Sequence, residues 1–329
     1  MKKIKGFNYH KCSFTYIREY KDGKWYKGKL MKEDHINISV MSPSLHYGQQ
    51  AFEGIKAYMN ENEDIFLFRI YDNAKRFNQS LNRLLMPEIN EDEFVDAIKK
   101  TVLANKEHIP KNNKKEALYI RPLMIGTGSK LGVGPADEYM FIIAVTPVGS
   151  YFDKDNKIDV LVTNYDRAAQ YGTGHVKVGG NYAASLYPLK EAKELGYNDC
   201  LFLDPKEHKY IEEVGAANFF GITKDNKYYT PKSNSILKSI TNDSLKVIAK
   251  DYLNLEVVET KINILNINDF VEAGACGTGA LITPINSITY KDNKTIFKDH
   301  TLSFKLKELL LKIQYGEIED NYNWRLKIT

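Results

Sequence analysis

Apolar side chains recur along this chain at spacings that distinguish helices from strands. In residues 71–86 and 91–109 they return every three or four positions, which places them on one face of an α-helix. Residues 116–126 and 138–149 are rich in β-branched and aromatic side chains, which is typical of strands. Residues 1–60 carry further β-rich stretches separated by turns. The first half of the chain therefore predicts a compact α+β domain.

Residues 149–157 form a polar break, after which strand and helix patterns alternate. The predicted strands cover residues 157–165, 198–204, 210–222, 255–262, 280–288 and 295–297, with short strands near 227–232. The predicted helices cover residues 181–196, 241–253, 266–274 and 302–316. The pattern predicts two domains, 1–148 and 158–329, joined by a linker at 149–157. No segment repeats at the period of roughly 20 to 50 residues that marks a solenoid.

The composition is that of an ordinary globular protein. The 329 residues are 43% hydrophobic and 27% charged, with a formal net charge of +4. Lysines and acidic residues are interspersed and form no basic stripe, so nucleic acid is not an expected partner. No window approaches the roughly 18 apolar residues that a transmembrane helix needs. The first residues, MKKIKGFNYHKC, lack the apolar run of a signal peptide or membrane anchor.

Histidine and cysteine spacing bears on metal binding and on cellular location. The seven histidines form no HxxxH or HExxH pair and lie near no cysteine cluster, so no metal site is expected. Cys12, Cys200 and Cys276 are widely spaced and include no CxxC pair. This pattern is typical of a protein of the reducing cytoplasm.

Three glycine-rich stretches, residues 126–134, 172–180 and 274–280, raise the question of a phosphate loop. None has the spacing GxxxxGK[ST], and the first is followed by a strand pattern where a dinucleotide fingerprint requires a helix. A Rossmann or P-loop fold is therefore not expected. The second stretch contains Lys177, which is followed after one residue by two glycines.

A lysine beside glycines has an ordinary interpretation and a chemical one. It is either a surface residue next to a turn, or an amine that a flat ligand approaches closely because glycine lacks a Cβ. Burial would favour the neutral amine, which can then act as a nucleophile, as in Schiff-base formation with pyridoxal phosphate. That use needs an acid for the ring nitrogen, donors for the phosphate and a hydroxyl for the phenolate, for which the chain offers Glu213, Arg76 and Tyr182. Taken singly, each of these residues is more often solvated or structural than catalytic.

Seven blocks of sequence carry a more specific resemblance. They are residues 45–58, 67–87, 117–152, 177–186, 212–220, 235–241 and 272–285. In this order, over roughly residues 7–320, they resemble the branched-chain amino acid aminotransferases, which are pyridoxal-phosphate enzymes of fold type IV. The resemblance implies a two-domain α+β/α/β fold similar to that of D-amino acid aminotransferase.

The resemblance also implies a set of cofactor-binding residues. Lys177 would form the Schiff base with pyridoxal 5′-phosphate and would move the proton at the substrate Cα. Glu213 would keep a proton on the pyridine nitrogen, and Tyr182 would donate to the phenolic oxygen. The phosphate would be bound by Arg76, Ile240, Thr241 and Thr278. The phosphate block of the family often has the form LPxxTR, whereas this chain has LKSITN and lacks both the proline and the arginine.

The substrate-binding residues follow from the same resemblance. The aromatic side chains that would surround an aliphatic substrate are Tyr47, Phe52, Tyr119 and Tyr151. Arg121 would bind the second carboxylate of glutamate, and Ala216 and Gly279 would lie beside the α-carboxylate. Leu131 and Val133 would come from the partner subunit of a homodimer.

The expected activity is transamination of branched-chain L-amino acids with 2-oxoglutarate. Two enzymatic alternatives share the fold, a D-amino acid aminotransferase and an aminodeoxychorismate lyase. A third alternative is a binding protein that has lost catalysis, against which the joint presence of Lys177, Glu213, Tyr182 and Arg76 argues. The sequence does not rank leucine, isoleucine and valine as substrates, and it does not distinguish biosynthesis from catabolism.

Overall fold

A computed structural model describes residues 6–111, 116–149 and 157–329. The described residues group into two compact units. The first contains the described part of residues 1–150 together with Val176–Gly180 and Ile313–Thr329. The second contains residues 157–175 and Asn181–Lys312. The predicted domains differ from these units in two segments, because Val178 pairs with Ala51 and because the C-terminal residues add a strand to the first unit.

The first unit is an antiparallel sheet with two longer helices packed on it and a third, short helix. Its strands are β1 (Thr15–Lys21), β2 (Lys24–Trp25), β3 (Lys29–Met31), β4 (Gln50–Phe52), β5 (Ile55–Met59), β6 (Ile65–Phe68), β7 (Ala117–Gly126), β8 (Tyr139–Val148) and β18 (Arg325–Lys327). Its helices are α1 (Pro43–Tyr47), α2 (Ile70–Arg83) and α3 (Glu91–Ala104), followed by a short 3-10 turn at Lys106–His108. The strand order is β18-β6-β5-β7-β8-β1-β2, with β3 beside β1 and β4 beside β7. The two helices predicted in this half are therefore confirmed, each to within a few residues.

Periodic apolar residues explain why α2 and α3 lie on this sheet. Phe77 and Leu81 of α2 and Phe94 and Ile98 of α3 are fully buried and belong to one apolar core with the sheet residue Phe141. The rings of Phe77, Phe94 and Phe141 lie within 5.5–5.8 Å of one another. Burial of such side chains removes apolar area from water, which is the main force that holds the layers together.

The second unit is a mixed sheet with helices. Its strands are β9 (Ile158–Val162), β10 (Asp199–Leu203), β11 (Ile211–Val214), β12 (Ala217–Thr223), β13 (Lys227–Pro231), β14 (Glu256–Thr260), β15 (Phe270–Gly277), β16 (Leu281–Tyr290) and β17 (Asn293–Ile296). Its helices are α4 (Gly179–Ala184), α5 (Leu186–Glu194), α6 (Ile240–Leu253) and α7 (Thr301–Tyr315), with a 3-10 segment at Ile264–Asp269. The N-terminal end of α4 and the C-terminal end of α7 belong to the first unit.

Strand pairing closes part of this sheet into a ring. The order is β11-β10-β9-β16-β15-β12-β13-β14, and β11 also pairs with β12. Six strands therefore form a closed circuit, to which β13 and β14 add an extension. Fully buried residues on these strands, such as Val160, Leu201, Phe219, Ala275 and Ile285, form the core of the unit.

Two predicted elements of this half are wrong. Residues 210–222 form two antiparallel strands, β11 and β12, rather than one, because Gly215 takes a φ of +54° in the turn between them. Residues 266–274 are predicted as a helix, but strand β15 begins in their second half, at Phe270. Ala273 and Ala275 are fully buried there between neighbouring strands, so sheet pairing outweighs the weak helical periodicity.

Among the described residues, no helix combines the length and the apolar character that spanning a bilayer requires. Within the same residues, no group of three or more histidine, cysteine, aspartate or glutamate side chains has the arrangement of a metal site.

Candidate active site

The backbone of Lys177 is held by two elements of the first unit. Its N–H donates to Ser80 Oγ at 3.0 Å, and its carbonyl accepts from the N–H of Phe52 at 3.1 Å. Ser80 is fully buried on α2 and donates in turn to the carbonyl of Arg76 at 3.1 Å. Backbone hydrogen bonds alone therefore fix the loop that carries Lys177 to α2 and β4.

The two glycines after Lys177 differ in what surrounds them. A Cβ on Gly179 would lie 2.6 Å from the side-chain nitrogen of Gln50, so a larger residue there would displace the Gln50 side chain. A Cβ on Gly180 would meet nothing within 4 Å. The space beside Gly179 is thus occupied by Gln50, whereas the space beside Gly180 is open.

The side chain of Lys177 is half-buried rather than buried. Its Nζ lies 5.0 Å from the ring centroid of Phe52, within the range of a cation–π contact. The structure thus brings together Phe52, predicted to contact substrate, and Lys177, predicted to carry the cofactor.

A buried ion pair beside Lys177 was not predicted from the sequence. Arg76 donates through Nε and Nη2 to the two carboxylate oxygens of Glu53, each at 2.8 Å. Asn73 adds a third hydrogen bond to Glu53 at 2.8 Å. Burial alone would raise the pKa of Glu53, but the charge and hydrogen bonds of Arg76, the charge of Lys177 and the amide of Asn73 outweigh it and hold that pKa below its ordinary value. Glu53 therefore fixes the orientation of Arg76.

Arg121 lies against two of the aromatic residues predicted to contact substrate. Its guanidinium carbon lies 4.5 Å from the ring centroid of Phe52 and 5.3 Å from that of Tyr119. Nη2 donates to the hydroxyl of Tyr119 at 3.0 Å. Nε is buried and has no hydrogen-bond partner among the described residues, which leaves a donor suited to a carboxylate. Gly54 makes this arrangement possible, since a Cβ there would overlap the Tyr119 hydroxyl.

Tyr47, Leu131 and Val133 lie together at the surface of the first unit. The Tyr47 hydroxyl donates to the carbonyl of Leu131. Their exposed fractions are 41% for Tyr47, 71% for Leu131 and 88% for Val133. The structure thus joins Tyr47 to Leu131, one of the two residues predicted to reach a partner subunit. Tyr151, the fourth predicted aromatic residue, lies outside the described residues.

Glu213 of the second unit has a charged partner that sequence analysis missed. Arg167 Nε lies 2.5 Å from Glu213 Oε2, although its N–H is not aligned for a hydrogen bond. Asn218, opposite Glu213 on β12, donates to Oε1 at 3.1 Å. All three side chains are buried. Glu213 is therefore paired with both a guanidinium and an amide inside the second unit.

Arg167 also connects Glu213 to two loops. Its Nη2 donates to the carbonyl of Gly174 at 3.1 Å and to that of Ser235. Glu212, on the opposite face of β11, accepts hydrogen bonds from Ser235 Oγ and from a neighbouring serine. Consecutive residues of a strand point to opposite faces, so only one member of the pair Glu212–Glu213 faces Arg167. Arg167 and Glu213 lie far apart in the sequence, so no local pattern indicated their contact.

Strand pairing places the two predicted carboxylate-binding turns side by side. Ala216 is exposed in the turn between β11 and β12, and Thr278 and Gly279 lie in the turn between β15 and β16. Because Asn218 pairs with Cys276, the start of β12 adjoins the end of β15. Both turns therefore emerge at the same end of the sheet.

The remaining predicted cofactor residues lie on helices. Ile240 and Thr241 form the first turn of α6, where Ser239 accepts a hydrogen bond as the N-cap residue. Unsatisfied N–H groups in such a turn favour an anion. Tyr182 lies in α4 and is half-buried.

The chain is similar to known proteins over most of its length. The family described as "Amino-transferase class IV" matches residues 50–288. A protein of Helicobacter pylori named branched-chain-amino-acid aminotransferase is 47% identical over 327 residues, which cover 98% of this chain and 96% of that protein.

Two solved structures show the same fold. The Escherichia coli branched-chain amino acid aminotransferase superposes with a TM-score of 0.82 at 27% identity and covers 97% of this chain and 100% of that one. The branched-chain amino acid aminotransferase of Thermobaculum terrenum, in its PLP-bound holo form, superposes with a TM-score of 0.81 at 26% identity and covers 97% and 99%. The predicted fold type IV is confirmed, and the chain belongs to the class IV aminotransferase family.

Proposed function

We infer that this chain catalyses transamination of leucine, isoleucine and valine with 2-oxoglutarate, which gives branched-chain 2-oxo acids and L-glutamate. The observation that carries the inference is the near-complete alignment, at 47% identity, with a branched-chain-amino-acid aminotransferase. A second relative with the same name, from Haemophilus influenzae, is 46% identical over 98% of this chain. The D-amino acid aminotransferase and lyase alternatives are therefore not favoured.

The residues of the chain fit pyridoxal 5′-phosphate as the cofactor. Glu213 is a buried carboxyl group paired with Arg167, and a protonated ring nitrogen requires a carboxylate as its partner. Lys177 offers an amine on a backbone fixed by two hydrogen bonds. When bound, pyridoxal phosphate supplies an electron-withdrawing ring that stabilises negative charge at the substrate Cα.

The proposed roles of the chain's own groups follow from their chemistry. Lys177 would bind the cofactor through its aldehyde carbon and, once the substrate amine has displaced it, would move the proton to and from the substrate Cα. Glu213 keeps a proton on the ring nitrogen, and Tyr182 donates to the phenolic oxygen. The phosphate is bound by Arg76, Ile240, Thr241 and Thr278. Glu53 supports this binding because it orients the guanidinium of Arg76.

One set of side chains is proposed to accept both leucine and glutamate. The rings of Phe52, Tyr119 and Tyr47, with Tyr151, give the apolar surface that an aliphatic side chain needs. Arg121 supplies positive charge for the second carboxylate of glutamate, and its buried Nε supports this role because it otherwise has no partner among the described residues. Ala216 and Gly279 are proposed to contact the α-carboxylate.

We further propose that the protein works as a homodimer in the cytoplasm. Leu131 and Val133 are strongly exposed in a single chain, which supports their insertion into a partner's active site. Tyr47 would accompany them, since its hydroxyl contacts Leu131. All three cysteines are free, as expected of a reducing compartment.

The direct experiment is a panel of amino donors assayed with 2-oxoglutarate. Leucine, isoleucine and valine should each yield glutamate, whereas D-alanine should not. A preference for D-alanine, or release of pyruvate from aminodeoxychorismate, would replace the proposed activity by one of the two alternatives.

A further inference from the structure

Asn242, in the first turn of α6, makes hydrogen bonds that reach beyond its own helix. Its side chain is buried, with 8% exposed. Oδ1 accepts from the hydroxyl of Tyr228 at 2.7 Å, and Nδ2 donates to Thr230 Oγ1 at 2.8 Å. Tyr228 and Thr230 both lie on β13 and are buried. The side chain of Asn242 therefore spans the gap between a helix end and a strand.

The connection continues at both ends. Thr230 Oγ1 donates to the carbonyl of Phe219 on β12 at 3.0 Å. The backbone N–H of Asn242 donates to Ser239 Oγ at 3.1 Å, which closes the N-cap of α6. The start of α6 is thus joined to β13 and β12 through one continuous chain of hydrogen bonds.

This chain of bonds constrains the position of the helix start. The groups are buried, so a shift of the first turn would leave donors and acceptors without partners, which is costly away from water. A neighbouring contact reinforces the constraint, since the ring of Tyr228 stacks on Phe220 at 5.2 Å with 13° between the planes. Neither Asn242 nor Thr230 is among the residues assigned above to cofactor or substrate.

We propose that Asn242 is a positioning residue that presents the Ile240–Thr241 turn to the cofactor phosphate. It fixes the turn against β13, so binding does not have to order the loop, and such preorganisation increases affinity. This inference rests on the proposed function. It accounts for an ordered phosphate-binding turn in a chain whose LKSITN block has no proline.

The test compares two ligands that differ only in the phosphate. The full-length chain, freed of cofactor, is titrated with pyridoxal 5′-phosphate and with pyridoxal, and binding is followed by fluorescence quenching and absorbance. Asn242→Leu removes both side-chain hydrogen bonds to β13, Thr230→Val removes one of them, and neither removes a group assigned to the ligand. Each should weaken pyridoxal 5′-phosphate about tenfold, the scale of one buried hydrogen bond, while pyridoxal affinity changes less than about twofold.

Ser303→Ala is the matched control. Ser303 is a buried hydroxyl in the first turn of α7 and hydrogen-bonds to Glu272, so its loss should lower the thermal midpoint without changing the ratio of the two affinities. Equal weakening of both ligands in Asn242→Leu and Thr230→Val would overturn the inference, as would an unchanged affinity for pyridoxal 5′-phosphate. If the unsubstituted chain itself showed no preference for pyridoxal 5′-phosphate over pyridoxal, the proposed function would fail and the inference with it.

Discussion

Arg167 Nε lies 2.5 Å from Glu213 Oε2, and both side chains are buried in the second unit. The carboxylate proposed to hold the ring proton of the cofactor is thus already paired with a fixed cation. Two charges of this kind depend on each other, because removal of either leaves the other buried and unpaired.

Arg167→Leu should therefore destabilise the protein by about 3–5 kcal/mol. Arg167→Lys should recover part of this loss, because it restores the charge without the planar guanidinium. The control is Lys190→Met, which breaks an exposed ion pair with Glu194 and should cost less than about 1 kcal/mol. Urea denaturation measures the free energy of unfolding of all three variants. Equal losses for Arg167→Leu and Lys190→Met would show that the buried pair contributes no more to stability than the exposed one.

Glu53→Gln should destabilise the first unit most strongly near neutral pH. The pKa of Glu53 lies below its ordinary value of 4.5, so its ionised form stabilises the fold fully above that value. The stabilisation is lost as the pH falls through the lowered pKa. The stability difference between Glu53→Gln and the unsubstituted chain should thus be about 3–5 kcal/mol at pH 7 and should shrink on acidification. A difference that stays constant down to pH 3 would contradict the assignment.

His300 should make the second unit sensitive to acid. Its side chain is buried, and neither ring nitrogen makes a hydrogen bond of good geometry within the described residues, although the backbone of Phe297 interacts with the ring. Burial, aided by the charge of Lys157, lowers the pKa of His300 below its ordinary value of 6.5, despite the opposing charges of Glu272 and Asp299. The unfolded chain then binds a proton that the folded chain does not, so stability falls as the pH drops below about 6.5.

His300→Leu should remove this part of the pH dependence. Denaturation midpoints measured from pH 7.5 to pH 5 should fall less steeply in the variant than in the unsubstituted chain. His108→Leu is a suitable control, because His108 is half-buried and bonds to Ser13. Parallel curves for the His300 variant and the unsubstituted chain would disprove the role of His300.

Arg121→Met and Phe52→Ala should separate the two substrate classes. Loss of Arg121 should raise KM for 2-oxoglutarate and glutamate by an amount equivalent to roughly 2–3 kcal/mol, the scale of a hydrogen bond to a charged group. KM for leucine should change much less. Phe52→Ala should raise KM for leucine more than KM for 2-oxoglutarate and glutamate, since it removes apolar contact area. Steady-state kinetics of both half-reactions measures these KM values. An equal rise in KM for both substrate classes in Arg121→Met would make the arginine a structural residue.

Sequence patterns predicted the elements that depend on local periodicity. Helices α2, α3 and α6 were predicted with nearly correct limits, because their apolar faces repeat at helical spacing and α3 and α6 are capped by Asn90 and Ser239. The failures occur where pairing with distant strands decides. Residues 270–274 form a central strand because β12 and β16 lie on either side of it, which no local pattern records.

The candidate site divides in the same way. Lys177 and Glu213 were found because their blocks resemble those of a known family, whereas Glu53, Arg167 and Asn242 were not assigned any role. Each of these three makes its side-chain contacts outside its own segment: Glu53 binds Arg76, Arg167 binds Glu213, and Asn242 binds Tyr228 and Thr230. Such contacts depend on tertiary packing, so they become visible only in three dimensions.

The most direct test of the account is the identity of the lysine that carries the cofactor. Borohydride reduction of the purified, cofactor-loaded protein, followed by proteolysis and peptide mapping, fixes the cofactor to its lysine. We expect a single phosphopyridoxyl label on Lys177, and loss of that label in Lys177→Ala. A label on any other lysine, or none on the unsubstituted protein, would contradict it.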